Sequence, residues 1–166
     1  MRKLLFLLVL LTTFYSYGQN ASVSWLKRFG GIQPQGVVSI ARDEAGNIYS
    51  TGYFTETGDF DPGPGVANLT ATGISDVFIK KSDASGNLIW VKQISGDQVT
   101  RSTSIDVDES GNVYFSGYFY GNTDLDPGPS AHIISNINPN ATYNAFVCKL
   151  DNNGDFIWGN AIGDPN

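Results

Sequence analysis

The sequence predicts an all-β fold built from tandem four-stranded antiparallel units, and three observations predict it. The 166-residue chain combines 19 Gly and 7 Pro with 13% aromatic residues, a composition that many short strands joined by tight turns require. A long internal repeat divides the chain into similar units. No apolar pattern of helical period follows the first 18 residues.

The internal repeat is the strongest of these observations. The stretch 43–47, Asp-Glu-Ala-Gly-Asn, returns 65 residues later as Asp-Glu-Ser-Gly-Asn at 108–112. Aligning 38–65 with 103–130 gives 15 identities in 28 positions, where unrelated segments would share about two. Further on the offset grows to 68, so that Trp90 matches Trp158. A partial copy upstream places Trp25 at the same repeat position.

Each full copy is predicted to contain four strands. In the first copy these are 37–41, 48–54, 76–81 and 88–94, with a long Gly/Pro loop at 55–75. Tight turns join the first strand to the second and the third to the fourth, with Gly and Asn expected to supply positive φ. A structural role in these turns is predicted for Asp43, Gly46, Asn47, Asp108, Gly111 and Asn112.

A family resemblance follows from these motifs. The pattern Asp-x-x-Gly-Asn-x-Tyr-x-x-Gly-Tyr-Phe, then Asp-Phe-Asp-Pro-Gly, then Ser-Gly-Asn-x-x-Trp resembles the SBBP-type β-propeller repeat of bacterial exported proteins. The resemblance covers nearly all of 22–163, although Asn144 replaces Asp76 and Asp155 replaces Asn87 in the second copy. It implies that the four-stranded units are blades of a β-propeller.

The predicted organisation has four parts. They are a signal peptide (1–18), an N-terminal outer strand and linker (19–36), propeller blade 1 (37–98) and propeller blade 2 (99–166). About two blades plus one extra strand make an incomplete ring, which leaves strand edges open. Two explanations stay open: a fragment of a longer propeller, or a homo-oligomer in which several copies complete one ring.

The first residues are typical of a secretory signal peptide. Arg2 and Lys3 precede an apolar run, 4–11, and Ser16 and Gly18 are small residues suited to cleavage before Gln19. A membrane span needs about 20 apolar residues, so we expect no membrane span after cleavage. The expected location is secreted or at the cell surface.

The charge of the chain argues against one class of partner. A formal charge of −6 and a pI near 4.5 leave no basic stripe for phosphates, so nucleic acid is not expected as a partner. An acidic surface is compatible with cation binding.

The Asp-x-Asp-Pro-Gly loops hold the candidate ligand or calcium residues: Asp59, Asp61, Asp124 and Asp126. Carboxylates one residue apart before a Gly resemble the start of a calcium loop, but both copies lack the later donors of an EF-hand. Asx turns that accept backbone N–H bonds are the favoured interpretation, calcium is the candidate cofactor, and sugar binding is the third alternative.

No catalytic residue is predicted. His132 lies in the variable loop and matches Ala67 in the first copy, Cys148 lies in an apolar run and is expected to be buried, and the three Trp residues are expected to pack between blades. The favoured function is an exported non-catalytic propeller that acts as a binding or surface-interaction scaffold for an extracellular protein or glycan. The alternatives are a propeller segment of an extracellular polysaccharide-acting enzyme, and a lectin formed by oligomerisation of short chains.

Overall fold

The computed structural model of the chain describes residues 24–136 and 143–163. Within them lie twelve β-strands: β1 (Gln35–Arg42), β2 (Ile48–Phe54), β3 (Thr57–Asp59), β4 (Asn68–Thr70), β5 (Asp76–Ser82), β6 (Leu88–Gly96), β7 (Val99–Val107), β8 (Val113–Tyr120), β9 (Asn122–Asp124), β10 (Ile133–Ser135), β11 (Asn144–Leu150) and β12 (Phe156–Ile162). No helix in the described stretches is long and apolar enough to cross a bilayer. The predicted signal peptide, 1–18, lies outside them.

The four long strands of each repeat form an antiparallel sheet, in which they lie side by side in the order in which they occur in the chain. The first blade orders β1-β2-β5-β6, and the second orders β7-β8-β11-β12. The registers agree, because Ser50 pairs with Lys80 in the first blade as Phe115 pairs with Cys148 in the second. The prediction of tandem four-stranded antiparallel blades is confirmed, and the sheets are open rather than closed on one another.

The tight turns at one end of each blade depend on glycine. Gly46, Gly86, Gly111 and Gly154 have φ of 89°, 77°, 79° and 80°, a region that residues with a Cβ rarely adopt. The expectation that Asn shares this backbone role is wrong. Asn47 instead donates its side-chain Nδ2 to Asp43 Oδ2 at 2.7 Å, so the amide stabilises the turn without occupying a left-handed conformation.

The loop predicted at 55–75 contains a hairpin that the sequence analysis missed. β3 pairs with β4 there, and β9 pairs with β10 at the equivalent place in the second copy. Strands of three residues are too short to show a period-2 pattern. The second hairpin also joins β9 to β6, which extends the first sheet to six strands.

The extra outer strand predicted upstream is present only as a single bridge. Residues 24–29 form no regular strand, and Gly30 makes an isolated antiparallel bridge with Asp59. That bridge corresponds to the pairing of Ser95 with Asp124 between β6 and β9. The segment therefore lies where an outer strand belongs, but no described strand pairs with it as β5 pairs with β6.

The two blades pack face to face, with β7 against β1 and β2. The main core joins Tyr49 and Ile79 of the first blade to Phe115 and Cys148 of the second. A smaller cluster of Phe54, Phe60 and Phe78 lies on the other side of the first blade, against Phe29.

Each blade has one face directed toward the part of the chain that precedes it, and we call this its upstream face. For the first blade that part is the N-terminal segment, and for the second it is the first blade. On the first blade that face includes Ile48, Ser50, Lys80 and Ser82, and on the second the equivalent Val113, Phe115, Cys148 and Leu150.

Candidate functional site

The first acidic loop is held together by its own aspartates. Asp59 Oδ1 accepts the backbone N–H of Asp61 at 3.0 Å and that of Ala67 at 2.9 Å. Asp61 Oδ1 accepts the N–H of Gly63 at 2.7 Å. The first carboxylate thus ties the start of the loop to its end, and the second forms an Asx turn.

The second acidic loop repeats this arrangement bond for bond. Asp124 Oδ1 accepts the N–H groups of Asp126 and His132 at 3.0 and 2.8 Å. Asp126 Oδ1 accepts the N–H of Gly128 at 2.8 Å. The four candidate aspartates thus accept equivalent backbone hydrogen bonds in both blades, and these bonds single out none of them for chemistry that the other copy lacks.

The hydrogen bonds of the loop also fix its charge. The backbone N–H groups of Ala67 and Asp61 outweigh desolvation and hold the pKa of Asp59 below its ordinary value, so this carboxylate is ionised at neutral pH. Within 24–136 and 143–163, no group of three His, Cys, Asp or Glu side chains is placed to hold a metal ion. Calcium at these loops stays a prediction.

A polar cleft that the sequence analysis missed lies at the opposite end of the blades. It has a volume of about 480 Å³ between the turns of the two blades and is lined by Asp43, Glu44, Lys81, Glu109 and Asn152, among others. Lys81 Nζ donates to Asn152 Oδ1, and the Tyr49 hydroxyl lies 3.3 Å from Asp43 Oδ2 and 3.4 Å from that amide oxygen. The repeat predicted that these turns lie at one end of the fold. The sequence alone did not show that turns from neighbouring blades enclose a cleft.

Two of the repeated tryptophans donate hydrogen bonds to the blade that follows them. Trp90 Nε1 donates to the carbonyl oxygen of Asn152 at 3.1 Å, and Trp25 Nε1 donates to that of Ala84 at 3.0 Å. Each acceptor lies in the last tight turn of the following blade. The predicted role of Trp in blade-to-blade packing is confirmed for Trp90, whereas Trp25 joins the N-terminal segment to the first blade. Trp158, the third, is 37% exposed.

Cys148 and His132 also have structural surroundings. Cys148 is buried, as predicted, and burial raises the pKa of its thiol to about 12, which leaves very little thiolate at neutral pH. His132 stacks near the Phe156 ring, with 4.8 Å between ring centroids, and its Nε2 lies 2.8 Å from the carbonyl oxygen of Gly159.

Asp76 is a key residue whose role the sequence analysis missed. Its side chain is fully buried. Oδ2 accepts bonds from the backbone N–H and hydroxyl of Thr72 and from Gln93 Nε2, and Oδ1 accepts the N–H of Gly96. The carboxylate therefore joins the loop before β5 to the end of β6. The Asn at the same position in the second copy pointed away from a charge-dependent role and concealed this one.

Comparisons with known proteins agree with this architecture. Residues 89–122 match the SBBP family model, described as a beta-propeller repeat, and these residues run from the last strand of the first blade into the second blade. An uncharacterized WD repeat-containing protein of Acanthamoeba polyphaga mimivirus is 29% identical over 114 residues, which is 60% of this chain.

The aligned segment spans only 8% of the length of that viral protein, so the likeness concerns the repeat and not the whole relative. The matched repeat bridges two antiparallel four-stranded sheets of equivalent register that pack through buried aromatic residues. This chain is therefore a propeller-type repeat protein, in which residues 89–122 match the SBBP repeat.

Proposed function

We propose that this chain is an exported, non-catalytic propeller that serves as a binding scaffold for an extracellular protein or glycan. The observation that carries the proposal is the equivalence of the two acidic loops. In both, the carboxylates are used to build the loop through backbone hydrogen bonds. Acid–base catalysis needs paired groups whose environments differ, whereas a scaffold repeats the same rigid surface.

The cleft between the turns is the favoured binding surface within this proposal. It combines carboxylates, an amide and a lysine in a depression between two blades, and such convergent polar groups suit the hydroxyl groups of a glycan or the polar surface of a protein. The acidic loops lie at the other end of the blades. Binding at either end is therefore separable by mutation.

Export is tested by the mature N-terminus. We expect the chain, expressed with residues 1–18 in a bacterial host, to be recovered outside the cytoplasm with Gln19 as its first residue. Intact mass measurement checks this. Recovery of a cytoplasmic chain that still begins at Met1 would contradict export without touching the binding proposal.

Binding is tested on an array of extracellular glycans with three proteins. Wild type is compared with Glu109→Gln, which alters the cleft, and with Asp126→Asn, which alters an acidic loop. We expect saturable binding that Glu109→Gln weakens and Asp126→Asn leaves unchanged. Equal binding by all three proteins, or no binding to any glycan or extracellular matrix protein offered, would contradict the cleft as the binding surface.

Catalysis is tested on the same polysaccharides. We expect no release of reducing ends above that of the heat-denatured protein. Release that scales with protein concentration would favour the polysaccharide-acting alternative. A lectin formed by oligomerisation would instead show glycan binding only at concentrations where sedimentation detects a closed trimer or tetramer.

A further inference from the structure

The upstream face of the first blade differs in chemistry from that of the second. The upstream face of the second blade holds three buried apolar residues that complete the core between the blades: Phe115, Cys148 and Leu150. In the first blade the same three register positions hold Ser50, Lys80 and Ser82. The fold does not require polar groups there, because the second blade is built without them.

Lys80 is the most unusual of the three. It is only 3% exposed, and its Nζ lies 3.7 Å from the centroid of the Phe29 ring. Among the described residues, no carboxylate lies within ion-pair distance of this ammonium. Burial lowers the pKa of Lys80 to about 8, with the positive charge of Lys27 adding to the decrease and Asp61 opposing it. A buried cation without a counter-ion is costly.

A cavity of about 240 Å³ opens at this place, between the N-terminal segment and the sheet. Trp25, Phe29 and Ile40 give it apolar walls, and Lys80, Ser50 and Ser82 line its polar side. Lys27 also borders it, but donates its Nζ to Asn87 Oδ1, as Lys92 does to Asp155 in the next blade. Lys27 keeps its charge beside this neutral amide, and among the described residues Lys80 is the cation of the cavity that has no hydrogen-bond acceptor.

We propose that this cavity binds a small organic acid, whose carboxylate pairs with Lys80 between the two serine hydroxyls and whose apolar body packs against Trp25, Phe29 and Ile40. The charge of the ligand supplies the missing counter-ion, and the apolar walls exclude a bare inorganic anion as the best fit. This site is on the sheet face and is independent of the glycan or protein surface proposed above.

Another blade covering the same face is the competing occupant. Such a blade would present an apolar surface like the one that β2 and β5 present to the second blade. It would bury the Lys80 ammonium against side chains equivalent to Tyr49 and Ile79. The covering blade would leave the buried Lys80 ammonium without a counter-ion, and an unpaired buried charge is costly. A small acid satisfies the same charge without that cost.

The test uses phenylacetate and its neutral isostere phenylacetamide, titrated by calorimetry at neutral pH. We expect wild type to bind phenylacetate with a Kd of about 1 mM or tighter, and phenylacetamide at least about tenfold more weakly. Lys80→Met should lose the preference for the acid. Lys92→Met, which removes the lysine equivalent to Lys27 in the next blade, should keep it.

A second measurement avoids dependence on the variant. Reductive ¹³C-methylation labels Lys80 in the wild-type fold, and NMR follows its titration; saturating phenylacetate should raise the pKa of Lys80 toward its ordinary value because it supplies a counter-ion. Equal binding of acid and amide, or an unchanged titration of Lys80, would overturn the proposal. Absence of acid binding together with chain association that Lys80→Met strengthens would overturn the proposal and assign the face to another sheet.

Discussion

The two blades share their turns and differ in their faces. The tight turns and glycines are identical in role, down to hydrogen bonds from Asn47 to Asp43 and from Asn112 to Asp108 that are both 2.7 Å long. The upstream faces diverge, since Ile105 of the second blade is 5% exposed while its counterpart Ile40 is 68% exposed. The opposite faces of the two blades diverge similarly, with Ile94 of the first blade fully buried and its counterpart Ile162 of the second 56% exposed.

This difference follows from what constrains each part. A turn is specified by its own backbone, so the first tight turn of both blades has the same Asp, Gly and Asn, and the last tight turn keeps its Asp and Gly. A face is specified by what covers it, and in the described residues one face of each blade is covered by the other complete blade while the opposite face is not. Repeat identity therefore reports local geometry, and divergence at the faces reports a change of neighbour.

The largest effect is expected at the glycine in the middle of the second strand of each blade. A Cβ at Gly52 would overlap the backbone carbonyl of Gly36 and the Phe78 ring, and one at Gly117 would overlap the carbonyl of Arg101 and the Phe146 ring. Backbone cannot move aside cheaply, so Gly52→Ala and Gly117→Ala should each cost about 3 kcal/mol of unfolding free energy or more. Urea denaturation measures both.

The control for this prediction is Gly128→Ala. Its added Cβ meets only the Asp126 carboxylate, at 3.0 Å, on an exposed loop, and the cost should be under about 1 kcal/mol. If one blade tolerated its alanine and the other did not, the two sheets would not share the close strand approach that their registers indicate.

Sequence reasoning predicted the strands and turns that are local to each repeat and missed the features that depend on packing between segments. Strand β2 was predicted with its observed bounds, Ile48–Phe54, because its β-branched and aromatic residues end at clear turn signals. The hairpin of β3 and β4 was missed because three residues show no alternation. Lys80 was read as part of a strand, and only the packing of Phe29 above it shows that the lysine is buried.

The next effect breaks the comparison at the start of β5 and β11. Asp76→Asn gives the first blade the residue that the second blade has at Asn144. The new amide NH₂ would, however, face the N–H groups of Thr72, Gln93 and Gly96, which are themselves donors. We expect a loss of about 2 kcal/mol in unfolding free energy. Asp97→Asn, at an exposed aspartate that accepts bonds from Asn122, serves as the matched control and should cost less.

A smaller loss for Asp76→Asn than for its control would mean that the buried network rearranges around the amide. The charge at Asp76 would then be dispensable in the first blade, as it is in the second. Chemical denaturation at neutral pH, with both variants run beside wild type, decides between these results.

Lys80→Met should make the upstream face of the first blade resemble that of the second. Removing a buried, unpaired ammonium is expected to raise the unfolding free energy at pH 7 by roughly 1 kcal/mol, a value reduced by residual solvent screening. The pKa of Lys80 is lowered to about 8 in the folded chain, against an ordinary value near 10.5 when unfolded. Below pH 8 both states are charged and the penalty is fully present.

Between about pH 8 and 10.5 the folded state releases its proton before the unfolded state does, so the stability of wild type should rise relative to Lys80→Met. Melting temperatures across that range measure the difference between the two proteins. Parallel curves would show that Lys80 titrates normally and that the two upstream faces differ less than their sequences indicate.

The smallest effect concerns the last tight turn of each blade. Backbone N–H groups of Asn87 and Asp155 bond to Asp83 and Asp151 and hold the pKa of both carboxyls below the ordinary value. A lowered folded pKa gives stability that is present above about pH 4 and is lost as the pH falls through the folded value. Asp83→Asn and Asp151→Asn should therefore each flatten the acid limb of the stability curve, measured by melting between about pH 2.5 and 7.

The two variants should nevertheless differ at neutral pH. Asn87 also donates its side-chain Nδ2 to Asp83 Oδ2 at 2.8 Å, and Asp155 has no amide with which to make the equivalent bond. Asp83→Asn should then cost more than Asp151→Asn, because it sets two amide donors against each other in the first blade only. Equal costs would show that the backbone bonds alone stabilise these turns, and that the change from Asn87 to Asp155 between the copies is neutral.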